Sequence, residues 1–93
     1  MLKVNSYFED KVRSIGLDNA EGRSTVGVME PGEYEFGTST VEYMTVISGL
    51  LTVKLPGETV WKDFGKGQTF VVAANAKFQL KVPEQTAYHC RYE

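Results

Sequence analysis

Two short runs set the pattern of this chain. In one, Phe78, Leu80 and Val82 are apolar while Lys77, Gln79 and Lys81 are polar. In the other, Leu51, Val53 and Leu55 alternate with Thr52 and Lys54. A period of two sends successive side chains to opposite faces, so each run predicts a strand with one face on a core and one in water. Val41–Ser48 breaks the rule, because Val41, Tyr43 and Ile47 are apolar and so are Met44 and Val46. A strand that is apolar on both faces is expected to be covered on both, by a barrel lumen on one side and a partner sheet or subunit on the other.

The same reading along the whole chain predicts strands at Val12–Leu17, Arg23–Met29, Glu33–Phe36, Val41–Ser48, Leu50–Leu55, Val60–Phe64, Gln68–Val72, Lys77–Val82 and Thr86–Tyr92. Turn residues fall between them. Glu30-Pro31-Gly32-Glu33 and Leu55-Pro56-Gly57-Glu58 read as type II turns, and Ser48-Gly49, Gly65-Lys66-Gly67 and Asn75-Ala76 mark others. Strands at intervals of roughly 8–12 residues are the pattern of a sandwich or barrel. No stretch carries a long helical period; Ser6-Tyr7-Phe8-Glu9 fits a capping box and predicts one short turn.

With 93 residues and no linker, repeat or low-complexity block, the chain is expected to be one domain over residues 1–93. A chain this short buries about 60–65% of its unfolded surface. A content of 42% hydrophobic and 12% aromatic residues is rich for that size. The surplus suggests burial against a second copy, hence a homodimer. The net charge is −2 and the lysines and arginines are scattered, which argues against nucleic acid as a partner. The single Cys90 excludes an intrachain disulfide. The start, MLKVNSYFEDKV, has no apolar core of a signal peptide, and no run is long enough to span a bilayer. No membrane partner is expected and the expected location is the cytoplasm.

The stretch from Gly32 to Gly49 resembles the first motif of the cupin superfamily: a glycine, two histidines one residue apart, a glutamate, six residues and a glycine. Glu42 and Gly49 match its second half, but Phe36 and Thr38 stand in the two histidine places. Gly67 to Phe78 resembles the second motif, with Phe78 in the place of the third histidine. One glutamate with two phenylalanines and a threonine is no donor set for iron, manganese or zinc. No metal is expected.

The strings "VISGLLTVKLPGETVW", "GQTFVVAANAKFQLKV" and "AYHCRY", with "NSYF", "VRSIG" and "GRSTVGVMEPGEYEF" before them, are similar to the pyrimidine/purine nucleoside phosphorylase family over essentially the whole chain. Ala73, where that family has proline, and His89, where it tends to have leucine, are small departures. The resemblance implies an all-β, single-domain cupin-like barrel or jelly roll, and a pentosyltransferase. The implied reaction converts a purine or pyrimidine nucleoside and inorganic phosphate to free base and (deoxy)ribose 1-phosphate, with no cofactor.

Phosphorolysis proceeds through a transition state of oxocarbenium character, as glycoside hydrolysis does. It asks for an anion site, a grip on the ribose and a proton for the departing base. Arg23, in Gly22-Arg23-Ser24-Thr25, is the candidate phosphate ligand; the plainer reading is a surface arginine at a turn. Arg91 alternates with Cys90 and Tyr92, which turns it outward if they face the core. Glu42 is the candidate for ribose hydroxyls or, if burial keeps it neutral, for protonating the base; otherwise it hydrogen-bonds within the fold. Phe36, Met44, Phe78 and Tyr88 are candidates for the base end, against simple core packing. Thr38 and Gln79 are candidate donors, and Tyr7 either folds over the mouth or anchors the amino terminus. Cys90 reads as a small core residue and not a nucleophile. His89 is an acid in a dimer cleft or structural, and Trp61 packs between sheets or subunits. Two rival readings stand beside this one: a non-catalytic cupin that binds a sugar or nucleotide, and a metal enzyme drawing ligands from His89 or Cys90.

Overall fold

The computed structural model of the chain describes residues 2–93. Among them are ten strands: β1 (Val4–Tyr7), β2 (Val12–Asn19), β3 (Gly22–Met29), β4 (Gly32–Gly37), β5 (Glu42–Ser48), β6 (Leu50–Lys54), β7 (Lys62–Gly65), β8 (Thr69–Val72), β9 (Lys77–Val82) and β10 (Thr86–Tyr92). They form a six-stranded sheet in the order β1-β2-β3-β10-β5-β8 and a four-stranded sheet in the order β4-β9-β6-β7. Every pairing is antiparallel. After β3 the chain crosses repeatedly between the sheets, which makes the fold an open two-sheet jelly roll and not a closed barrel. No helix of the described residues is long and apolar enough to cross a membrane.

The alternating runs bury the faces they predict. Phe78, Leu80 and Val82 from β9 meet Leu51 and Val53 from β6 in the core between the sheets, while Lys77 and Lys81 are exposed. From the six-stranded sheet, Val12, Met29, Met44, Val46 and Val72 close the same core. The two-faced strand β5 is half as expected. Met44 and Val46 are buried, but Ile47 on its outer face is exposed. Val4, Ile15 and Val26, cross-strand neighbours in one row, are exposed as well, as are Leu17, Val28 and Val71. In a single chain the outer face of the large sheet is thus an uncovered apolar surface.

Several local expectations are corrected. The short turn expected at Ser6–Glu9 forms just after β1 and is left-handed: Tyr7 ends the strand, and Phe8, Glu9 and Asp10 turn with φ of 52°, 56° and 69°. The left-handed turn is tied by Ser6 Oγ donating to Asp10 Oδ1, with Arg13 Nε 3.8 Å from the same carboxylate. Pro31-Gly32 is not a type II turn. Gly32 opens β4, and the Tyr34 hydroxyl folds back to donate to the Glu30 carbonyl at 2.6 Å, occupying the acceptor such a turn would use. Val60–Phe64 is displaced to Lys62–Gly65, and Val60 is exposed. Trp61 lies between Lys54 and Lys81, with Nζ atoms 5.7 and 4.3 Å from the ring centroid, and not between the sheets. The turns at Leu55–Glu58 and Gly65–Gln68 do form, each closed by a 3.0 Å backbone bond. Gly49 is required between β5 and β6: at φ 103° a Cβ would collide with Thr86 Oγ1 and lie 2.9 Å from the Gln85 carbonyl oxygen.

Candidate active site

A cavity of about 210 Å³ opens between the sheets. Its wall on the six-stranded sheet comes from Glu42 and Met44 of β5, from Tyr88, Cys90 and Tyr92 of β10, and from Ser14 and Met29. Phe36 and Gly37 of β4 and Phe78 of β9 face them from the other sheet, and Tyr7 closes the side. Period-two alternation along β10 is what brings Tyr88, Cys90 and Tyr92 to one wall. Tyr88 packs this close to β3 only because residue 27 is glycine: a Cβ there would sit 2.7 Å from the Tyr88 hydroxyl and 2.7 Å from the Arg13 carbonyl oxygen. Ser14, also buried, lines the same wall.

The far side is aromatic. Phe36 and Phe78 stack with centroids 5.9 Å apart and planes 27° from parallel, and Tyr7 meets Phe36 edge-on at 6.2 Å. Phe8, on the strained turn, packs against Phe36 at 5.4 Å and Tyr34 at 5.1 Å, which anchors Tyr7 beside the cavity. The candidates for the base end, Phe36, Met44, Phe78 and Tyr88, all line the cavity, and so does Tyr7.

Glu42 is the one formally charged group in this wall. It has no Lys or Arg within ion-pair distance among the described residues, and the Cys90 thiol donates to its Oε1 at 3.4 Å. Burial pushes its pKa above the usual carboxylate range, with the thiol bond opposing. Burial also raises Tyr88, to about 12. It raises Tyr92, whose hydroxyl pairs with Thr25 Oγ1 at 3.0 Å. The Cys90 thiol is pushed far up by burial and then by the Glu42 charge, so it stays a thiol and is no nucleophile.

Arg23 lies outside the lining but next to it. Its guanidinium is stacked over the Tyr92 ring, 5.3 Å from the centroid. Of the three arginines, Arg13 pairs with Asp10 and Arg91 with Glu93, whereas Arg23 has no carboxylate within ion-pair distance among the described residues. Arg91 faces outward over Tyr43. Thr38 is placed elsewhere. Its hydroxyl donates to the Ala73 carbonyl at 2.6 Å and accepts from the Ala76 amide at 3.1 Å, latching the end of β4 to the β8–β9 turn. Gln79 is on the outer face, bonded to Glu35. Ser14, Met29, Gly37 and Tyr92 are wall residues that sequence reasoning missed. For Tyr92 the signal was available in its parity with Tyr88 and Cys90.

The three places where cupins carry histidine hold two stacked rings and a hydroxyl already tied to backbone. Among the described residues no three His, Cys, Asp or Glu side chains come together. These residues do not fit a transition metal.

A family model for pyrimidine/purine nucleoside phosphorylase matches residues 2–92. The chain belongs to the pyrimidine/purine nucleoside phosphorylase family. One member of this family, from Tolumonas auensis and named pyrimidine/purine nucleoside phosphorylase, is 60% identical over 93 residues, covering 100% of each chain. A solved Vibrio parahaemolyticus protein of unknown function superposes with a TM-score of 0.96 at 45% identity, over 100% of this chain and 99% of that one. An RmlC-like cupin from Shewanella frigidimarina, 17% identical, shares the fold alone, with a TM-score of 0.75 over 96% of this chain and 80% of its own. The jelly roll of this phosphorylase family is therefore cupin-like.

Proposed function

We propose that the chain is a metal-independent nucleoside phosphorylase that moves a ribosyl or deoxyribosyl group from purine and pyrimidine bases to inorganic phosphate, as a homodimer in the cytoplasm. The observation that carries the mechanism is one row of side chains across three neighbouring strands. Glu42 is the cross-strand partner of Tyr92, and Arg23 is stacked on the Tyr92 ring. An acid on one side of a tyrosine and an uncommitted cation on the other can bracket a sugar.

The cavity has the volume of about seven waters. That suits a flat heterocycle between the Phe36/Phe78 pair and Tyr88, with the sugar reaching out toward Glu42 and phosphate at Arg23. Ring faces accept any base, which fits a broad range. A phosphate oxygen bonds to C1′ as the C1′–N bond breaks and its electron pair passes to the base. The protonated form of Glu42, favoured by burial, gives its proton to that base. The carboxylate left behind then faces the positive charge at C1′. Thr38 serves the wall by latching its edge. The uncovered apolar face of the large sheet supports the dimer.

Uridine or adenosine with phosphate is expected to release free base, undiminished by chelator, from protein whose light scattering gives twice the 10.4 kDa chain mass. Binding without base release across a nucleoside panel would leave the non-catalytic, ligand-binding cupin. Arg23→Ala is expected to raise the KM for phosphate by about 10-fold to 100-fold, the loss of a charge-assisted hydrogen bond. The KM for nucleoside should stay within a few fold. A shift confined to nucleoside would remove Arg23 from the anion site.

A further inference from the structure

We propose that Cys90 is a positioning residue for Glu42, fixing which carboxyl oxygen carries the proton given to the departing base. The inference rests on the reading of Glu42 as the acid. Cys90 and Glu42 stand on adjacent strands β10 and β5, and Cys90 is 3% exposed. Its thiol donates to Oε1. In a protonated carboxyl the carbonyl oxygen is a better acceptor than the hydroxyl oxygen, so the bond to Oε1 favours the proton of protonated Glu42 on Oε2. The thiol thus orients the acid without ionising it.

The choice of sulfur matters. A thiol is a weak donor, and a donor to a carboxylate favours the ionised form in proportion to its strength. A serine hydroxyl in the same place would hold the carboxylate more tightly and deplete the acid. No cation offsets this locally. The groups facing Glu42 are Cys90, Tyr92 and Tyr88 from β10 and Tyr7 from β1, with Arg23 of β3 beyond the Tyr92 ring. Val72, Phe36 and Phe78 complete the surroundings without charge. Cys90 is therefore the nearest adjustable donor on this acid.

Cys90→Ser and Cys90→Ala are compared with the parent by infrared titration of the Glu42 carboxyl band, identified by its absence in Glu42→Gln. The alkaline limb of base release from uridine is followed in parallel. Cys90→Ser is expected to move the band's midpoint to lower pH, with roughly a threefold to tenfold loss of turnover at alkaline pH. Cys90→Ala is expected to move the midpoint to higher pH and to lower the plateau rate, because the proton is no longer confined to one oxygen. Both substitutions are small and buried, and thermal melts check that the variants are folded. Midpoints unchanged in both folded variants would overturn the role of Cys90. Midpoints that move while the rate profile does not follow them would leave the Cys90–Glu42 coupling standing and remove Glu42 as the acid.

Discussion

Glu42→Gln is expected to lower turnover of uridine and adenosine by about a hundredfold or more, the usual worth of a positioned acid. The amide keeps the shape and gives up the transferable proton, so both KM values should stay within a few fold. The loss should depend on the leaving base. A nucleoside whose base already carries positive charge, such as 7-methylguanosine, departs without a proton and should be cleaved by Glu42→Gln at nearly the parental rate. Equal loss on both kinds of substrate would mean that Glu42 acts only as a carboxylate toward the ribose. The pH dependence has a fixed sign. Burial raises the Glu42 pKa, so the acid form persists above the usual carboxylate range and activity falls as pH rises through the raised value. Stability follows the same sign. The folded state holds a proton that the unfolded chain has already lost, so stability declines with pH between the two pKa values. Glutamine carries no charge to bury. The variant should therefore melt at or above the parental temperature at pH 8, where a residue retained for the fold alone would melt lower.

The fold was legible where one face is buried and the other is not. Phe78, Leu80 and Val82 could be assigned to a core from their spacing, because a one-residue slip would expose all three. A turn near Ser6–Asp10 was legible, but its left-handed form was not. Its left-handed residues are Phe8, Glu9 and Asp10, and only Asp10 is of a type enriched at positive φ. It is held by Ser6, Asp10 and Arg13 and by Phe8 on Tyr34, contacts that only the folded chain brings together. The site was legible in the same uneven way. Glu42 was found through the cupin spacing as the motif's retained glutamate, and Phe36 and Phe78 as places where its histidines are missing. Thr38 was selected by the same spacing, yet its hydroxyl reaches the Ala73 carbonyl across the β8–β9 turn, a contact set by the closure of two sheets. The thiol of Cys90 pointed to core packing by residue type; its bond to Glu42 depends on the β5–β10 register.

Gly27→Ala is expected to cost about 3 kcal/mol, with a fall in melting temperature of more than about 10 °C. In most strands an alanine in place of glycine is harmless or helpful, because it reduces the freedom of the unfolded chain. Here the new methyl has nowhere to go. It would meet the Arg13 carbonyl at 2.7 Å, backbone held in the β2–β3 ladder, and the Tyr88 ring at 2.8 Å. The carbonyl cannot retreat without breaking sheet pairing, so the ring must lift away from β3. Lifting it drives the ring into the cavity it now walls. The folded fraction of the variant should therefore show a raised KM for nucleoside, with the phosphate KM unchanged, since Arg23 rests on Tyr92 and not on Tyr88. Tyr88→Ala in the same background would relieve the ring contact but not the backbone one, so it should recover only part of the stability. A melting temperature for Gly27→Ala within a degree or two of the parent would show that the ring and ladder yield easily. The shape of the cavity would then not be set by the glycine.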